Sequence, residues 1–179
     1  ARDYLKSGFL DRAEQIFKKL SFEIDNPVVV CLHLKEIYEQ EKEWKKAIDI
    51  SERIQSISNE DLSDTISHYY CELAENEIIL STEENLNEAK KYINKALNYN
   101  KKSVRALILL GDVSFQNKKF NEALKRYIGI FDSYPDFSYL VLEKLKITYE
   151  KLGTNENFFT FIKSLSSIRN PMELYSNLS

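Results

Sequence analysis

Four alanines divide the chain at regular intervals. Ala13, Ala47, Ala89 and Ala123 are each preceded three positions earlier by a large apolar residue, namely Leu10, Trp44, Leu86 and Phe120. Seven positions after each comes Leu20, Ile54, Ala96 or Ile130. The intervals between the alanines are 34, 42 and 34 residues. A small residue bracketed by apolar ones at these offsets marks one face of an α-helix. Its return at a fixed period marks a repeated unit that buries its face only against its neighbours.

The rest of the chain agrees. There are 4 glycines and 3 prolines, no stretch alternates like a strand, and apolar residues recur at helical spacing almost throughout. The clearest unit is VRALILLGDVSFQNKKFNEALKRYIGIFDSYP, Val104 to Pro135, with Leu107, Leu110 and Gly111, then Ala123 and Tyr127, then Pro135. This is close to the tetratricopeptide (TPR) pattern. Gly111 and Ala123 are small where the two helices of one hairpin cross, Leu107, Leu110, Phe120 and Tyr127 fill the space around them, and Pro135 ends the unit. The expected fold is therefore all-α, a right-handed α-solenoid of about five TPR hairpins truncated at both ends. The expected repeats are 1–27, 28–61, 62–103, 104–137 and 138–170, with a partial helix at 171–179 and no internal domain boundary. The longer middle interval is expected to lie in loops, at Ser56 to Asp64 and Ser81 to Asn85, where extra length costs little closure entropy. In the fifth unit Phe158 stands where the others have alanine, so that hairpin should be splayed.

Composition limits the function classes. The formal charge is −3, from 25 Lys plus Arg against 28 Asp plus Glu, and no basic run tracks a phosphate backbone, so nucleic acid is not expected as a partner. Two cysteines at unrelated spacings argue for buried thiols in a reducing compartment rather than a disulfide framework. No run reaches the ~18 apolar residues of a membrane span. The chain begins Ala1-Arg2-Asp3 without methionine, inside helical periodicity, so it is expected to be a piece of a longer protein.

Both histidines and both cysteines lie in two short runs, CLH (Cys31 to His33) and HYYC (His68 to Cys71). Cys31 and His33 are two residues apart, about 200° around a helix, so they cannot grip one metal together. His68 and Cys71 share a face, but four ligands of a tetrahedral site are not available. A Cys71–His68 nucleophile would lack both a third group and oxyanion donors, because mid-helix amides are already bonded. The chain holds no Gly-rich phosphate loop, HExxH, G-x-S-x-G or C-x-x-C motif. The expectation is a protein without catalytic residues, metal or cofactor in this part of the chain.

Recognition is the alternative use of such a surface. The first helix of each hairpin is expected to line the concave groove of the stack. By the repeat register Glu36, Glu39 and Gln40 come from the second unit, His68, Cys71 and Glu75 from the third, and Arg105, Asp112, Phe115 and Gln116 from the fourth. The mixture suits an extended or helical peptide, with acids for its cationic groups and Phe115 or Ile78 for an apolar anchor. Charge reversal at Glu75 or Arg105 is then expected to weaken capture without unfolding the stack.

Four runs carry a resemblance: ARDYLKSGFLDRAEQIF (Ala1 to Phe17), EWKKAIDISERI (Glu43 to Ile54), HYYCELA (His68 to Ala74) and ITYEKLG (Ile147 to Gly153). Together they resemble the lipopolysaccharide assembly protein B (LapB, also called YciM) family, with the same repeat order to about Ser167. The resemblance implies a bacterial inner-membrane protein with an N-terminal anchor, a TPR solenoid on the cytoplasmic face and a C-terminal rubredoxin-like zinc domain. It implies an adaptor that helps the FtsH membrane protease degrade the LpxC deacetylase and so holds lipopolysaccharide synthesis in balance. This chain corresponds to the central TPR portion. Anchor and zinc domain lie outside it, so the family's zinc binding is not carried onto Cys31 or Cys71. An apolar end at either cut leaves a homodimer open. The rival reading is a generic TPR scaffold from another envelope or secretion assembly.

Overall fold

The computed structural model describes residues 27–168, the side chains through 163, together with Arg12 and Gln15. The first expected repeat falls almost entirely outside the described residues, as does all of 171–179. The described chain is helical: α1 (Pro27–Gln40), α2 (Trp44–Ser58), α3 (Ser63–Leu80), α4 (Glu83–Tyr99), α5 (Val104–Gln116), α6 (Phe120–Ser133), a 3-10 segment (Pro135–Val141), α7 (Leu142–Lys151) and α8 (Asn155–Ile168). Each odd-numbered helix pairs with the one that follows, each second helix packs on the next first helix, and α3 also packs directly on α5. This is an all-α solenoid of TPR hairpins.

The alanine columns do what small residues at helix crossings must. Ala47, Ala89 and Ala123 have no exposed surface, and Ile54, Ala96 and Ile130 are buried beside them. In α6 the buried set is Ala123, Tyr127, Ile130 and Phe131, an i, i+4, i+7, i+8 stripe that a helix turns to one side. Each large aliphatic side chain buried this way contributes about 1.5–3 kcal/mol. Gly111 is the other half of the α5–α6 crossing. A Cβ there would lie 2.8 Å from Cδ1 and 2.9 Å from Cζ of Tyr127.

Each described turn between the two helices of a hairpin passes through one left-handed residue: Lys42, Ser81, Lys118 and Gly153, with φ of 58°, 56°, 59° and 69°. Such a residue reverses the chain just after a helix. Only the last turn uses the amino acid that adopts this conformation without steric cost.

The extra length of the middle interval is not in loops. Helix α3 has 18 residues against 13 in α5, whereas the turn between α3 and α4 is only Ser81 and Thr82. The surplus extends the hairpin itself, because Glu77 to Leu80 continue α3 and Glu83 to Leu86 begin α4. Thr82 caps α4 by accepting from the Asn85 amide, and the Asn85 side chain donates to Glu77 at 2.5 Å. Bonded helix ends replace the expected flexible insertion.

The last hairpin departs from the others. Pro135 opens a 3-10 segment before α7, since a proline at a helix start gives up no needed donor. Phe158 sits 5.9 Å from Tyr149, ring to ring and tilted, and α8 packs on α7. Phe158 thus packs on α7 through its ring, at the position where the other described hairpins place an alanine.

Candidate functional site: the first-helix groove

Polar bridges join the first helix of each hairpin to the next. From α3 to α1, the Tyr69 hydroxyl donates to Glu39, which also accepts from Lys35 at 3.1 Å. From α5 to α3, the Arg105 fork spans several groups. Its Nε and Nη2 reach Glu75 at 3.1 and 2.8 Å, Nη2 also reaches Glu72 at 2.7 Å, and Nη1 lies 2.8 Å from His68 Nδ1. From α7 to α5, Lys144 Nζ donates to both carboxylate oxygens of Asp112 at 2.8 and 2.9 Å. The Tyr127 hydroxyl donates to the same carboxylate at 2.7 Å.

These bridges shift the titration of one guanidinium and two phenols. Partial burial opposes the charge on Arg105, but the bonds to Glu75 and Glu72 outweigh it and hold its pKa above the ordinary value. For Tyr127, burial, the nearby Asp112 charge and the bond to it all raise the phenol pKa. Tyr69 is raised by burial and by the bond to Glu39. Both phenols are therefore donors at any physiological pH.

Next to the last bridge lies a cavity of about 250 Å³ lined by Ile78, Asp112, Phe115, Gln116, Tyr127, Lys144 and Ile147. It gathers side chains from three consecutive first helices. Ile78, Phe115 and Ile147 form apolar walls, while Asp112 and Lys144 supply a paired, polar floor. An apolar side chain fits the walls, and a neighbouring hydrogen-bonding group reaches the floor.

The groove residues expected from the repeat register divide into three groups. Asp112, Phe115 and Gln116 come together in the cavity. Glu39, His68, Glu75 and Arg105 belong to the bridges. Glu36 and Gln40 are exposed on α1, with Glu36 3.4 Å from His33 Nδ1. Cys71 is a correction: it has no exposed surface and does not line the groove. On a helix Cys71 lies about 60° to one side of His68 and Glu72 about 40° to the other, and the groove is on the Glu72 side. Burial pushes the Cys71 thiol up to about 11, against the smaller opposing effect of Arg105. A nucleophilic thiol needs the reverse. Cys31 is likewise buried, and His33, from the same run, is exposed.

Sequence reasoning missed Glu72, Lys144 and Ile147. Glu72 was open to view, since His68, Glu72 and Glu75 fall at i, i+4 and i+7. Lys144 and Ile147 were not, because the 3-10 segment after Pro135 sets how α7 faces α5.

Among the described residues no helix is long and apolar enough to cross a membrane. No group of three or more His, Cys, Asp or Glu among them is placed to hold a metal ion.

No family model matches the chain. Among solved structures, a tetratricopeptide repeat protein from Parabacteroides merdae is similar over 93% of this chain and 61% of that one, at 17% identity and a TM-score of 0.44. The fold rests instead on the helix pairing above. Lipopolysaccharide assembly protein B of Haemophilus influenzae is 30% identical over 174 residues, covering 97% of this chain and 43% of that protein. The protein of the same name from Escherichia coli K12 is 29% identical over 162 residues, covering 90% of this chain and 41% of its own length. The resemblance carried by HYYCELA and its companions is thus borne out: over nearly its whole length the chain is similar to lipopolysaccharide assembly protein B, and it spans less than half the length of the relatives it matches.

Proposed function

We propose that this chain is the partner-binding solenoid of an adaptor in lipopolysaccharide biosynthesis. In this reading it presents an LpxC-type deacetylase to an FtsH-type membrane protease at the cytoplasmic face of the bacterial inner membrane. It does no chemistry of its own. The observation that carries the reading is the similarity to lipopolysaccharide assembly protein B along 97% of the chain. Supporting it is a groove cavity with apolar sides and a polar floor, which suits peptide capture.

The cavity, not the charged bridges, is assigned as the contact. Glu75, Arg105 and Asp112 are already committed to neighbouring hairpins, and a ligand would have to break those pairs to use them. Ile147 and Gln116 are exposed beside the cavity and free for a partner's side chain. The test is co-purification from the whole protein. Wild type is expected to bring down the deacetylase and the protease, and Ile147→Glu to lose one of them while keeping its helical content. Equal recovery from both would remove the groove cavity as the contact.

A further inference from the structure

A second cavity, of about 640 Å³, shares no lining residue with the groove cavity. It runs along α6 beside the turn that precedes α5. We propose that it is a docking site for an acidic peptide segment of a partner protein, separate from the groove contact assigned above.

Three observations point to a carboxylate ligand. Lys101, Lys125 and Arg126 line the cavity against a single acid, Glu122, in a chain whose formal charge is −3. Glu122 is already engaged, accepting from Arg126 Nη2 at 2.8 Å. Arg126 Nε is buried without a hydrogen-bond partner, so the guanidinium uses only part of its fork. The planar guanidinium matches a carboxylate in geometry, and its charge adds to those of Lys101 and Lys125.

The shape selects a peptide. Gly129 sits inside α6, and a Cβ there would meet nothing within 4 Å, so packing does not demand glycine at a position where it weakens a helix. Its effect is to lower one wall of the cavity. Leu107 and Ile130 add apolar lining. A free phosphate or a lipid headgroup would use the cations and leave that lining unfilled. A segment carrying Glu or Asp beside Leu or Ile uses both. The volume falls within the range of about 300–1,000 Å³ usual for ligand sites.

The probe is a fluorescently labelled peptide of alternating Glu and Leu, followed by anisotropy with the whole protein. A matched Gln and Leu peptide, inorganic phosphate and phosphatidylglycerol vesicles are the comparison arms. Saturable binding of the Glu peptide is expected, weakened about tenfold or more in the Gln peptide, in Arg126→Gln and in Gly129→Phe, which fills the cavity. The groove variant Ile147→Glu should bind like wild type, which separates failure of this site from failure of the groove. The proposal is overturned if the Glu peptide does not saturate, if the Gln peptide binds equally, or if Gly129→Phe changes nothing. It is overturned equally if phosphate or the vesicles take the site in place of the peptide.

Discussion

Tyr127 lies with its ring against Gly111 and its hydroxyl 2.7 Å from Asp112. One side chain thus joins the α5–α6 crossing to the floor of the groove cavity. The ring is fully buried and has little room to retreat. Gly111→Ala is therefore expected to destabilise the protein by about 1–3 kcal/mol through overpacking. Tyr127→Phe should cost about 1 kcal/mol for the lost hydrogen bond. Urea unfolding of both variants and of the double variant checks the relationship. The two losses should not add, since both act on one contact.

Arg105 is a bridge before it is a binding residue. Arg105→Glu would set a third carboxylate beside Glu72 and Glu75, so stability should fall by about 1–2 kcal/mol, a figure discounted for the partial exposure of the groups. A double-mutant cycle of Arg105→Met with Glu75→Met measures the bridge itself. A coupling indistinguishable from zero would show that the fork does not tie α5 to α3.

The Cys71 thiol is raised to about 11 from an unperturbed 9.0, chiefly by burial. The native state thus holds the proton more tightly than the unfolded chain. Its contribution is complete below about pH 9 and is lost as the pH rises through about 11. A thiol-specific reagent at pH 8 should therefore leave both cysteines unmodified in the native protein and react with 2 in denaturant. Rapid reaction of Cys71 in the native state would restore the nucleophile reading.

Lys118 holds a left-handed conformation, with φ of 59°, between α5 and α6. Lys118→Gly should raise stability by about 0.5–1 kcal/mol, because relief of the Cβ clash outweighs the added freedom of the unfolded chain. Thermal unfolding checks the sign.

What the sequence revealed follows from which contacts are periodic. Ala47, Ala89 and Ala123 recur because three successive hairpins each place one small residue at the crossing, so the fold was readable from their spacing. The extra length between Ala47 and Ala89 was expected in loops, yet it lengthens α3 and α4, since the polar ends of those helices cap as well as they would loop. The repeat register puts Cys71 on the groove together with His68 and Glu75. Which edge of that face is packed depends on how α3 rotates against α5, and no local pattern records that angle. The Arg105 and Lys144 bridges depend on the same rotation across some thirty residues of chain.

The proposed adaptor role makes the groove cavity a determinant of deacetylase turnover. Its most direct test is the half-life of the LpxC-type deacetylase in cells carrying either the wild-type protein or Ile147→Glu at equal abundance. The account predicts a longer half-life in the variant, approaching that in cells without the protein. A half-life equal to wild type, with the variant folded, would contradict it.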